Sequence, residues 1–162
     1  ENGIVTKYQY DALGRLKLID YPDGDTVAWT STSRTFSHVG GVYGLPAHWR
    51  MWERTGAGYK LTHYDALLRP VVTETYDSAD PANTRSIVVN RYDAVGRLAF
   101  QSYPVRSLGV WTDASLAGTT TSYDALDRVK AVTQSSELGD LSTTTSYLND
   151  ANGYYTRVTD PK

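Results

Sequence analysis

Short apolar and polar alternations dominate the chain. In RLAFQSY (97–103) Leu98 and Phe100 fall on one face, and Arg97, Ala99, Gln101 and Tyr103 on the other. In RLKLIDY (15–21) Leu16 and Leu18 oppose Arg15, Lys17 and Ile19. No window sustains a helical period, so the predicted elements are strands and turns throughout. Each strand has a narrow apolar face and a polar face set with aromatics. That mixture suits a one-layer sheet better than a closed sandwich, which asks each strand for a continuous apolar face.

A six-residue pattern organises these strands. YDALGR at 10–15 returns as YDALLR at 64–69, YDAVGR at 92–97 and YDALDR at 123–128. The Tyr-Asp pairs are separated by 64−10 = 54, 92−64 = 28 and 123−92 = 31 residues, so the first step reads as two units with one worn away. Each copy is predicted to be a hairpin corner. A strand delivers the tyrosine, and the aspartate opens a type I turn whose backbone N–H groups its carboxylate accepts. The fourth residue after Tyr then takes the left-handed conformation, and Arg begins the return strand. Gly14, Gly96 and Asp127 suit the left-handed position, whereas Leu68 does not, so the turn at 65–69, followed by Pro70, is expected to differ in shape. The structural residues of the motif are Tyr10, Asp11, Gly14 and Arg15; Tyr64, Asp65 and Arg69; Tyr92, Asp93, Gly96 and Arg97; and Tyr123, Asp124 and Arg128. Equal hairpin geometry aims the four tyrosines onto one face, in a row across the strip.

Composition strengthens the β reading. The chain has 162 residues with 13 Tyr, 4 Trp and runs such as TTTSY (119–123) and STTTSY (142–147), which is strand vocabulary. A net charge of −2 gives no basic field for nucleic acid. The absence of Cys removes disulfides and Cys-based metal sites, and no apolar run is long enough to span a bilayer as a helix.

YDALGRLKLIDYPDGDTVAW at 10–29 resembles the YD repeat, also called the Rhs repeat, of bacterial Rhs and wall-associated toxins, the C components of insecticidal Tc toxins, and teneurins. YDAVGRLAFQSYP (92–104) fits nearly as well, while 64–76 and 123–133 are weaker copies. Degenerate copies fall near 30–60 and over 147–162, where Tyr147 precedes NDANG and RVTDP. The resemblance implies an all-β fold over residues 1–162: consecutive hairpin repeats form a strip of twisted antiparallel sheet, a segment of a spiral β-shell. It also implies a structural role without catalysis, in a larger secreted or cell-surface bacterial protein whose shell encloses and helps deliver a C-terminal toxin domain. Its partners would be neighbouring repeats of the parent chain and that enclosed domain, with edge-to-edge self-association of the free strip. The array reads as cut at both ends.

Candidate chemistry outside the motif is sparse, and no cofactor, metal or catalytic residue is expected. His38, His48 and His63 are spaced unlike any zinc motif and are read as structural or surface residues. Glu53, Glu74 and Glu137 are scattered. HVGGVYG (38–44) lacks the Lys and Ser/Thr of a phosphate loop and is predicted to be a long turn. DGD (23–25) and NDANG lack calcium-loop spacing, and Asp80-Pro81 and Asp160-Pro161 read as turns rather than cleavage sites. Trp29, Trp49, Trp52 and Trp111 leave a carbohydrate- or surface-binding module as the alternative. Trp49 and Trp52, three apart, are predicted on opposite faces of a strand, which argues against a flat sugar platform.

Overall fold

The structure, a computed structural model, describes residues 5–22 and 30–161. The DGD stretch, the end of the first repeat copy at 10–29 and with it Trp29 lie outside the described residues. The chain divides into two compact units, Glu1–Ile87 with Pro104–Thr112, and Val88–Tyr103 with Asp113–Lys162.

The first unit is an antiparallel meander. Its strands are β1 (Lys7–Tyr10), β2 (Leu16–Asp20), β3 (Thr32–Val39), β4 (His48–Thr55), β5 (Gly58–Tyr64) and β6 (Pro70–Asp77), each hydrogen-bonded to its sequence neighbours. The described helix is a single turn, α1 (Pro81–Thr84), with Asp80 accepting from the Asn83 N–H at its start. Asp80-Pro81 is thus a capped helix start, where Asp accepts an orphan N–H and Pro sacrifices none.

The second unit repeats the plan with β7 (Ser86–Tyr92), which starts in the first unit, β8 (Leu98–Ser102), β9 (Gly118–Tyr123), β10 (Val129–Gln134), β11 (Leu141–Asp150) and β12 (Gly153–Thr159). Gly118 opens β9 because a Cβ there would collide with the Gln101 carbonyl and the Ser102 Cα. The fold is all-β, built of consecutive antiparallel hairpins, as expected.

The densest core lies at β5 and β6. Leu61, Thr62 and His63 are consecutive and buried, as are Val71 and Val72. Side chains alternate along a strand, so consecutive burial means that both faces are covered there. In register, Leu61 faces Glu74 and His63 faces Val72. Two connections fold back onto this unit. In the loop 40–47 Leu45 is buried and Tyr43 lies edge-on to His63, with ring centroids 5.4 Å apart. The segment 104–112 donates the Trp111 N–H to the Tyr43 carbonyl and exchanges two backbone hydrogen bonds between Val105 and Ile87. Full burial of a side chain such as Val71 or Ile87 contributes about 1.5–3 kcal/mol.

Candidate functional site

Each Tyr-Asp copy folds into the same clip. The aspartate Oδ1 accepts the backbone N–H two residues on, at 2.9, 2.9, 3.1 and 2.8 Å for Leu13, Leu67, Val95 and Leu126. It also accepts the arginine N–H four residues on, at 2.9–3.0 Å for Arg15, Arg69, Arg97 and Arg128. Oδ2 meanwhile takes the same arginine's Nε–H at 2.7–2.8 Å. One carboxylate thus closes the turn and fixes the guanidinium, through bonds strengthened by charge at both ends. The Arg128 guanidinium, foremost, holds the Asp124 carboxyl below its ordinary value, and at Asp11 the backbone N–H of Arg15 does most of this. At Asp65 and Asp93 burial pushes upward, and the hydrogen bonds overcome it, leaving both lowered.

The left-handed position is occupied by Gly14 (φ 75°), Gly96 (φ 96°) and Asp127 (φ 62°), as expected. Leu68 corrects the expectation. Its φ is 58°, and its turn carries the same bonds as the others, Asp65 N–H to the Arg69 carbonyl and Leu68 N–H to the Asp65 carbonyl. A left-handed non-glycine residue costs roughly 1–2 kcal/mol. The charge-assisted bonds of the Asp65 clip together exceed that, so the clip decides the turn and the residue tolerates it.

The clipped arginines have a second use. Arg97 lies over the Tyr123 ring, 4.6 Å from its centroid, and the Tyr123 hydroxyl donates to the Leu98 carbonyl at 2.9 Å. Arg128 lies over the Tyr147 ring at 3.9 Å, and the Tyr147 hydroxyl donates to the Val129 carbonyl at 3.1 Å. In both cases the next hairpin's tyrosine is held by the arginine and by the carbonyl directly after it. In the first unit Arg15 covers Phe36 at 4.7 Å. Phe36 has no hydroxyl, but it stacks on Trp49 (4.9 Å, 9°) and meets Tyr64 of the following hairpin at 5.8 Å. Sequence reasoning missed Phe36 because it looked for Tyr-Asp. The spacing was a usable signal: 36−10 = 26 and 64−36 = 28, close to the later step of 28.

Trp49 and Trp52 lie on opposite faces, as predicted, since the β3–β4 register is unbroken. Trp52 meets Tyr59 edge-on, and Tyr59 stacks on Tyr76 at 5.1 Å and 4°. Arg54 lies over Tyr59 and Arg85 over Tyr76.

Of the histidines, read as structural or surface residues, His48 and His63 are buried and meet. Nε2 of His48 lies 2.7 Å from Nδ1 of His63, and His48 Nδ1 lies 2.7 Å from the Pro46 carbonyl. Nearby the Tyr43 hydroxyl donates to buried Glu74, whose other oxygen is 3.0 Å from Arg85 Nε. Burial, then His48 and Arg50, pushes His63 down to about 4. Burial and the hydrogen bond to Glu74 push the Tyr43 hydroxyl up. The glycine-rich stretch at 38–44 is therefore more than a turn. No set of three or more metal-ligating side chains occurs among the described residues. No helix among them is long and apolar enough to cross a membrane.

The family model described as RHS Repeat matches residues 1–26. The chain carries an RHS repeat there. The match contains the first clip, Asp11 to Arg15, and the other three copies of the clip reproduce its hydrogen bonds. The RHS repeat is a structural module, and its geometry is that of a corner piece. None of the curated proteins matches the chain.

Proposed function

We propose that the chain is a wall segment: a strip of YD/RHS repeats that forms part of a β-shell in a longer secreted or cell-surface bacterial protein. The shell encloses a C-terminal toxin domain and helps to deliver it. The segment has no catalysis of its own, and its partners are neighbouring repeats and the enclosed domain. The observation that carries this reading is the link from hairpin to hairpin. Arg97 and the Leu98 carbonyl hold Tyr123, and Arg128 and the Val129 carbonyl hold Tyr147. The motif residues are thereby committed to building more strip. On this reading 30–60 and 147–162 are degenerate repeats, since Phe36 and Tyr147 take the aromatic position under the preceding arginine.

The same contacts weigh against a carbohydrate platform, which needs aromatic faces open to solvent. Phe36 and Trp49 stack on each other, and the Tyr59–Tyr76 pair is flanked by Arg54 and Arg85. Two assays test the reading together. The strip should bind no saccharide on a glycan array, and deleting residues 1–162 from the parent should expose the enclosed domain to protease. Binding to one defined sugar with unchanged protection of the cargo would overturn it. The free strip should also associate through its edge strands when concentrated. Sedimentation at millimolar protein checks this, and a strictly monomeric species counts against it.

A further inference from the structure

We propose that the His48–His63 pair is a proton-operated latch: one added proton releases the 40–47 loop from the face of β5 and β6. A carbonyl only accepts, so the contact with Pro46 requires a proton on His48 Nδ1. In the neutral pair His48 Nε2 is then the acceptor, and His63 Nδ1–H donates into it. Both N–H groups are used, and the one nitrogen of the pair left to take a further proton is His63 Nε2, a buried atom without a hydrogen-bond partner.

A proton there meets cations from the surrounding elements. Arg50 on β4 stands directly opposite His63 in the ladder. Glu74 on β6 is the nearby carboxylate, but it already receives Tyr43 from the loop and Arg85 from beyond α1. Arg50 thus stands against the imidazole before it charges, while the Glu74 carboxylate is already engaged by Arg85 and Tyr43. His63 is fixed on a strand paired on both sides. The loop is held outside any ladder, by two side-chain bonds, Pro46 to His48 and Tyr43 to Glu74, by one backbone bond from the Trp111 N–H to the Tyr43 carbonyl, and by the burial of Leu45. Letting the loop go admits water to the new charge without breaking a ladder, so it is the cheaper response. The latch does not depend on the wall reading, because it uses none of the clip residues.

The test is amide exchange of residues 41–45 in the full chain, corrected for intrinsic rate, between pH 7 and pH 4.5, with β9 and β10 amides as the reference. With the closed loop holding His63 near 4 against an ordinary value of 6.5, opening should change little between pH 7 and 6.5 and then become about tenfold more favourable for each pH unit below 6.5. The reference amides should hold constant, and His63→Gln should abolish the rise. A flat profile in the native chain, or the same rise in His63→Gln, overturns the latch. Should that variant fail to fold, nitrogen-15 imidazole spectra of the native chain decide. The latch requires His63 protonated on Nδ1 at pH 7 and titrating near 4, and titration near 6.5 or the opposite tautomer overturns it.

Discussion

Two hairpins of similar strand length meet solvent very differently. In β5/β6 six residues are buried, on both faces, whereas along β11/β12 every side chain is at least partly exposed. Backbone pairing does not account for this, since both ladders run in continuous antiparallel register over most of their length. The difference lies in what covers them. The first unit folds Tyr43, Leu45 and the 104–112 segment back onto its sheet, while β11/β12 keeps Tyr154 and Val158 exposed. The repeat builds the strip, and the irregular connections build the core.

The largest effect that could break this comparison is a cavity. Leu61→Ala on β5 should cost about 3 kcal/mol, because a buried leucine leaves both lost transfer energy and a void. Leu141→Ala on β11, an exposed position, should stay within about 0.5 kcal/mol. Denaturant unfolding followed by amide exchange in each unit measures both. Equal losses would mean that the two hairpins share one core.

A smaller effect separates the corners. Asp65 accepts two backbone N–H groups and a guanidinium, whereas Asp150, at the β11/β12 turn, accepts the Asn152 N–H. Asp65→Ala should therefore cost about 2–3 kcal/mol and Asp150→Ala about 0.5 kcal/mol. Acid should reproduce the contrast. The folded-state value of Asp65 lies below the ordinary 3.8, so the clip's contribution is fully present above 3.8 and is lost as pH falls through the lower folded value. Loss of the β5/β6 corner already above pH 5 in His63→Gln, where the latch is removed, would contradict that assignment.

Much of the strip was legible in the sequence. The turn follows from Asp, its reach to N–H groups two and four residues on, and Gly14 or Gly96 after it, all of which are local chemistry. What escaped depends on register. His48 and His63 are fifteen residues apart, and they meet because the Thr55↔Gly58 corner sets Arg50 opposite His63, which leaves His48 two residues along on the same face. The Gly56-Ala57 pair carried that signal in TGAGY, and counting back from it would have brought the histidines together. Phe36 escaped for a different reason. Its role needs a ring under a guanidinium, which Phe supplies as well as Tyr, so a search for Tyr-Asp passes over it.

Leu68 was misread because propensity was weighed against nothing. A leucine at φ 58° is unfavourable alone, yet the Asp65 clip holds the turn closed. If this account is right, the strain persists in the folded chain and can be relieved. Leu68→Gly should stabilise the protein by about 0.5–1 kcal/mol, the left-handed relief of roughly 1–2 kcal/mol less the extra backbone entropy glycine loses on folding. The side chain is exposed, so little packing is given up. The β11/β12 corner supplies the opposite sign: Gly153 sits at φ 112°, and Gly153→Ala should destabilise by a similar amount. Thermal unfolding of the two variants measures both shifts. A destabilised Leu68→Gly would mean that Leu68 contributes something at the tip that outweighs its backbone strain, and the clip would no longer suffice to explain the shape of this turn.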